Sequence, residues 1–267
     1  MKLKIFDTKA EEKGNIEMPE QFNESFRSDL IRRASIVIQS ELVQPYGAKT
    51  DAGLRASAEI SRRRNNYKTS YGYGISRVPR KIMSHRGNRF SWVGAVAPGT
   101  VGGRRAHPPK SSKVLIKNIN KKEGKKAMRC ALSATLMKEV VAEKGHKMSE
   151  NYPLVLSNDF ENVKKTSELI SSLTKLGFGD ELKRVEEKNV RAGKGKLRGR
   201  KYKRKVGPLI VVSKDCPLSN VKNVPGVEIL NLKEMDALDL APGIEPIRMT
   251  LFTEDAIKKI KEDNLYL

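Results

Sequence analysis

The sequence predicts an α/β fold: a layered globular domain with a mostly parallel sheet flanked by helices, interrupted by one long extended basic loop. Three observations predict it. From residue 153 onward, short apolar runs alternate with amphipathic helical segments, the order that builds a parallel sheet with crossover helices. One of these runs, residues 208–212 (Pro-Leu-Ile-Val-Val), is continuously apolar, which suits a strand covered on both faces. Residues 45–113 break the alternation: nine Gly and five Pro interrupt every apolar run, and 15 Lys or Arg stand against Asp51 and Glu59, a net of +13.

Leu3, Ile5 and Phe6 predict a short first strand, and residues 9–24 read as a polar connection turning at Pro19. A helix follows from Ser28, with Leu30, Ile31, Ala34, Val37, Ile38 and Leu42 at helical spacing, Ser28 as N-cap and Pro45 as terminator. Beyond the basic stretch, residues 114–116 form a short extended piece. Residues 121–144 predict one helix with Met128, Ala131, Leu132, Thr135, Leu136 and Val140 on one face, ended by Gly145. Its small residues Ala127, Ala131 and Ala134 let a neighbouring element approach closely. Next come a strand at 153–156 and a helix at 163–176, striped with Leu169, Ile170, Leu173 and Leu176 and followed by Gly177. The chain then predicts strands at 208–212, 227–230 and 248–252, with a short helix at 233–238 between the last two. Thr253 caps a terminal helix whose Glu254 and Asp255 favour the positive end of the macrodipole. Residues 1–44 and 114–267 therefore make one globular domain, with 45–113 inserted in it.

Charge narrows the function. A second basic run, 183–205, holds 12 Lys or Arg against Glu186 and Glu187, a net of +10. The two runs carry +23 of a total of +22, so the remaining residues sum to −1. Such concentration is the footprint of a polyanion-binding surface carried on an otherwise ordinary domain. Acidic lipid is disfavoured as the polyanion, because no apolar stretch is long enough to span a bilayer and neither basic run has a continuous apolar face. The segment 1–7 has too short an apolar core for a signal peptide, so a cytosolic protein with no membrane partner is expected. Cys130 and Cys216, 86 positions apart in apolar-rich segments, are expected as buried thiols.

An α/β fold invites an enzymatic reading, and the motifs argue against it. Gly193, Gly195 and Gly199 suggest a phosphate loop, but Arg200 and Lys201 stand where it needs Lys and then Ser or Thr. No Gly-x-Gly-x-x-Gly opens a helix after a strand, which argues against a dinucleotide or methyl-donor site, although methyltransferase fingerprints vary. His85, His107 and His146 lack partners at metal-ligand spacing, and His146 is expected at an exposed helix end beside Gly145. No cofactor, metal or catalytic residue is assigned.

The positive evidence is for RNA. Lys49, Arg55, Arg62, Arg63, Arg64, Lys68, Arg77, Arg80, Lys81, Arg86, Arg89, Arg104, Arg105 and Lys110 offer phosphate contacts, and Trp92 and His107 offer stacking or polar ones. Arginine outnumbers lysine ten to five here, favouring shaped recognition over a diffuse tail. In the second run Arg191, Lys194, Lys196, Arg198, Arg200, Lys201, Lys203 and Arg204 are separated by glycines that let the backbone lie close to phosphate. The competing readings are a solvated disordered loop for the first run, a localisation signal for the second, and an RNA-modifying enzyme or free nucleic-acid-binding regulator for the whole. With so little to bury, the first run is expected to be mobile in the free protein.

Four stretches carry a resemblance to a known family. Ser-Arg-Val-Pro-Arg at 76–80, Gly-Gly-Arg-Arg-Ala-His-Pro-Pro-Lys at 102–110, Ala-Met-Arg-Cys-Ala-Leu-Ser-Ala at 127–134 and Gly-Lys-Leu-Arg-Gly-Arg-Lys-Tyr-Lys at 195–203 resemble the universal large-subunit ribosomal protein four family. The likeness spans essentially the whole chain and is to the archaeal and eukaryotic branch, most of all to archaeal members. It implies a globular α/β domain on the large subunit of the cytoplasmic ribosome and a loop threaded into large-subunit ribosomal RNA. It also implies neighbouring ribosomal proteins as partners, including the one whose hairpin shares the constriction of the peptide exit tunnel. The loop tip would meet the nascent peptide at about residues 86–101, with Arg86, Asn88, Arg89, Phe90, Trp92 and Val96 as tunnel-lining candidates. Phe90, Trp92, Val93 and Val96 make this tip more apolar than the family pattern.

Overall fold

The chain was described as a computed structural model covering residues 1–244 and 247–267. Ten strands and seven α-helices are seen among the described residues, divided into two compact units, Met1–Leu42 with Ile116–Leu267 and Val43–Leu115.

The first unit is built on a six-stranded sheet. Its strands are β1 (Lys2–Phe6), β2 (Glu12–Glu17), β5 (Val155–Leu156), β8 (Leu209–Val212), β9 (Glu228–Asn231) and β10 (Thr250–Thr253), in the order β2-β1-β5-β10-β8-β9. All neighbours are parallel except β1 with β2, so the mostly parallel sheet expected from the sequence is present. Every residue of β8 and of β10 is buried, as two-sided coverage requires. β2 was not expected. Within β2 only Ile16 is a large apolar residue, and the segment pairs along its backbone as a polar edge strand with little hydrophobic pattern to read.

The helices depart from expectation where side chains compete for backbone groups. α1 (Ser28–Glu41) packs on α2 (Lys121–Ala134), but Arg27, not Ser28, holds the N-cap position. The single helix expected at 121–144 is two, α2 and α3 (Lys138–Glu143), separated by an extended Met137. Tyr152 donates its hydroxyl to the Thr135 carbonyl, which an unbroken helix would need for its own ladder. Ala127, Ala131 and Ala134 are wholly buried in α2, consistent with their expected role in close approach. The helix expected at 163–176 is α4 (Thr166–Leu173), which passes through a wide turn with Gly177 at φ 90° into α5 (Gly179–Glu186). A short α6 (Ala237–Leu240) precedes β10, and α7 (Glu254–Glu262) packs on β8 and β10. Thr253 holds the N-cap position of α7 as expected, but its hydroxyl makes no capping hydrogen bond and donates instead to Glu161 Oε1 at 2.8 Å.

The second unit carries one regular element, a hairpin of β3 (Arg80–Arg86) and β4 (Arg89–Gly94). This corrects the expectation of a stretch without internal structure. The two-residue turn is Gly87-Asn88, with Gly87 at φ 57°, the positive φ that such turns take at their first position. Along β4 burial alternates, with Phe90, Trp92 and Gly94 more covered than Arg89, Ser91 and Val93. A second hairpin, β6 (Lys188–Val190) with β7 (Tyr202–Arg204), belongs to the first unit and occupies the second basic run.

Candidate nucleic-acid interface

The two acids of the 45–113 stretch are each taken by one base. Arg55 Nε donates to Asp51 at 2.5 Å and Lys68 Nζ lies 3.2 Å from Glu59. Thirteen of its 15 Lys and Arg therefore have no carboxylate partner among the described residues. Uncompensated charge at this density costs stability through self-repulsion, and a phosphate backbone relieves it.

The candidates of this stretch fall into three places. On the outgoing and returning arms, Lys49, Arg55, Arg104, Arg105, His107 and Lys110 are exposed. The arms meet where Ala48 N donates to the Pro109 carbonyl at 3.1 Å and where Gly53 passes the backbone of Gly103 and Arg104. Arg62, Arg63 and Arg64 are exposed on a turn tied by the Thr69 hydroxyl, which donates to the Arg63 carbonyl at 2.8 Å. Arg80, Lys81, Arg86, Arg89 and Trp92 lie on the hairpin, Asn88 in its turn, and Val96 beyond β4 at φ 65°.

Aromatic rings hold several cations in place. Arg77 lies over the Tyr71 ring at 4.6 Å and Arg80 over Trp92 at 5.6 Å, while Arg80 Nη1 also donates to the Ser76 carbonyl at 2.6 Å. Phe90 and Trp92 stack at 5.1 Å between centroids, and Tyr67 meets Phe90 edge-on at 5.3 Å. These rings line a cleft of about 610 Å³ with Tyr71, Tyr73 and Asn65–Thr69. Tyr67, Tyr71 and Tyr73, expected from the sequence only as rings scattered among the arginines and able to stack on bases, are gathered here around one cleft. The available signal was the Gly-Asn turn flanked by ring residues two apart, which marks a hairpin with one aromatic face.

The second basic run is brought together by its hairpin. Arg191 N donates to the Lys201 carbonyl at 2.8 Å and Arg200 N to the Gly195 carbonyl at 3.0 Å, closing a loop that presents Lys194, Lys196 and Arg198. Lys188 lies 3.7 Å from the Tyr202 centroid, with Lys201 on the same ring at 5.5 Å, and Lys203 and Arg204 are exposed on β7. The hairpin is anchored by Arg184, whose Nη2 donates to the Val206 carbonyl at 2.7 Å and to Glu181 Oε1 at 2.6 Å.

His146 corrects an expectation here. It is buried, not at an exposed helix end, and its Nδ1 meets Glu181 Oε1 at 2.6 Å. Burial raises the Glu181 carboxyl, but the hydrogen bonds from Arg184, His146 and the Lys147 backbone outweigh it and bring the group down to about 2. Of the two thiols Cys130 is buried, its pKa pushed up by desolvation, while Cys216 is half-buried; both are free.

Comparison with known proteins gives the family. The model of the family described as "Ribosomal protein L4/L1 family" matches residues 16–263. The Nanoarchaeum equitans protein named large ribosomal subunit protein uL4 is 42% identical over 268 residues, covering 100% of both chains. The Methanospirillum hungatei protein of that name is 41% identical over 97% of this chain and 98% of its own, and the Halobacterium salinarum one is 38% identical over 98% and 100%. A basic insertion with 13 of its 15 cations unpaired among the described residues, a basic hairpin and an α/β body thus lie within a match running almost end to end, and the chain belongs to the ribosomal protein L4/L1 family.

Proposed function

We propose that the chain stabilises large-subunit ribosomal RNA by placing the 45–113 unit and the 188–204 hairpin between phosphate backbones that would otherwise repel. As a ribosomal protein of this family it is a structural component of the cytoplasmic ribosome and not an enzyme, with ribosomal RNA and other ribosomal proteins as partners. The observation that carries the RNA role is the set of 13 loop cations without a carboxylate partner, inside a full-length family match. Co-migration with the large subunit through a density gradient after a high-salt wash tests it, because a peripheral binder would be stripped while an embedded loop is retained.

The hairpin turn is further assigned to the constriction of the peptide exit tunnel, beside the hairpin of a neighbouring ribosomal protein and in reach of the nascent peptide. The exposed Arg86, Asn88 and Arg89 at that turn support this reading, with Phe90, Trp92 and Val96 behind them. Deleting residues 86–101 is expected to spare the globular fold and affinity for duplex RNA while altering nascent-chain passage or sensitivity to tunnel-binding antibiotics. No change in either assay would remove the tunnel role.

A further inference from the structure

We propose that the cleft between the β3–β4 hairpin and the 65–75 segment is a capture site for an unstacked base of single-stranded or bulged RNA, with the exposed Tyr67 and Tyr73 offering ring faces and the stacked Phe90–Trp92 pair forming the wall behind them. The proposal rests on the RNA-binding function above and assigns it a specific subsite.

The first argument is what the cleft is made of. At about 610 Å³ it lies within the range of ligand pockets, and its lining includes Tyr67, Tyr71, Tyr73, Phe90 and Trp92 but no Asp or Glu. It is not closed core: Tyr67 is 55% exposed and Tyr73 66%, so ring faces are left to solvent. Five aromatic residues gathered around one open cleft, in a stretch otherwise dominated by charge, mark an interaction site. Flat rings with free faces are what single-stranded nucleic-acid binders present to bases.

The second argument is the polar equipment at the rim. The side chains of Asn65 and Asn88 line the cleft and make no hydrogen bond within the described chain, so their amides are free to meet a base edge. Asn66 is different, since its amide already donates to Ser61 Oγ and accepts from Tyr67 N, fixing that wall. Arg89 at the rim has no carboxylate partner among the described residues and is placed for the phosphate of a nucleotide whose base enters.

Charge decides the occupant. An apolar peptide would fit the rings but would leave the surrounding cations uncompensated, whereas a nucleotide satisfies ring faces, amides and cations together. In a folded RNA the accessible ring faces belong to bases outside the stack, so the site selects bulges, loops and single strands over continuous duplex.

Trp92 is the chain's single tryptophan, so its fluorescence reports on the cleft directly. The full chain is titrated with an oligoadenylate and with an RNA duplex of equal phosphate number at one ionic strength. The single strand is expected to quench Trp92 strongly and the duplex weakly. Phe90→Leu and, separately, Tyr67→Leu should each lower single-strand affinity about tenfold. Duplex affinity and its salt slope should stay unchanged in both, which also excludes a general folding defect. Equal quenching by both RNAs, or single-strand affinity unchanged in either variant, would overturn the capture site and leave the broader RNA reading intact. Absence of binding to either RNA by the unmodified chain would sink that broader reading as well. Quenching by an uncharged apolar peptide with none by RNA would overturn the proposal in favour of a polypeptide ligand.

Discussion

Glu181 is a carboxylate without exposed side-chain surface that stays ionised because Arg184, His146 and the Lys147 amide all point at it. Its folded pKa of about 2 lies below the ordinary 4.5, so the stability it contributes is fully present above about 4.5 and is lost as pH falls towards 2. The displacement corresponds to on the order of 3 kcal/mol. Glu181→Gln is therefore expected to be destabilised near neutral pH, with the gap from the unmodified chain closing as denaturant melts are taken down to about pH 2. Arg248 is another buried charge, 1% exposed, donating to the carbonyls of Gly207 (2.5 Å), Gly226 (3.2 Å) and Pro208 (3.3 Å) and paired with Glu228. Arg248→Met leaves the buried Gly207 carbonyl without its donor, while Gly226 and Pro208 keep their backbone N–H partners, and should cost about 2 kcal/mol, seen as a lower urea midpoint with unchanged slope. Neither residue was legible beforehand. Glu181 finds His146 35 positions away, and no local pattern announces a pair made by tertiary packing.

Among elements, legibility followed hydrophobic pattern. β8 could be read from its continuous apolar run and the buried stripe of α4 from apolar residues recurring at the helical period. β2 and the β3–β4 hairpin were missed because backbone pairing holds them where few large apolar residues alternate. The basic candidates of the site were legible from charge alone, whereas the aromatic cleft depends on Tyr67 meeting Phe90 across a turn, which composition does not encode. The two arms of the loop yield a prediction at this scale. Gly53 has φ 77°, and a Cβ there would lie 2.5 Å from Arg104 N. Gly53→Ala combines a left-handed backbone penalty of about 1 to 2 kcal/mol with a clash against main chain. It should raise tryptic cleavage within residues 49–110 while the melting of the globular unit is unchanged; equal cleavage rates would show that the arms do not hold each other.

For the whole molecule, nearly all net charge belongs to two segments, so RNA affinity and globular stability are separable. Replacing Arg62, Arg63 and Arg64 together with Ala should weaken RNA binding at every sequence and reduce the magnitude of the salt slope by about 2. The thermal midpoint of the globular unit should not move, because these side chains are exposed and have no carboxylate partner.

The sheet order has one more consequence. β10 lies between β5 and β8, yet follows both in the sequence. As the chain is synthesised, β5 and β8 each emerge with an apolar edge whose neighbour does not yet exist, and the middle of the sheet closes only when residues 250–253 arrive. Until then two unpaired edges coexist with a polycationic insertion already made, a combination prone to non-specific pairing and to stray nucleic acid.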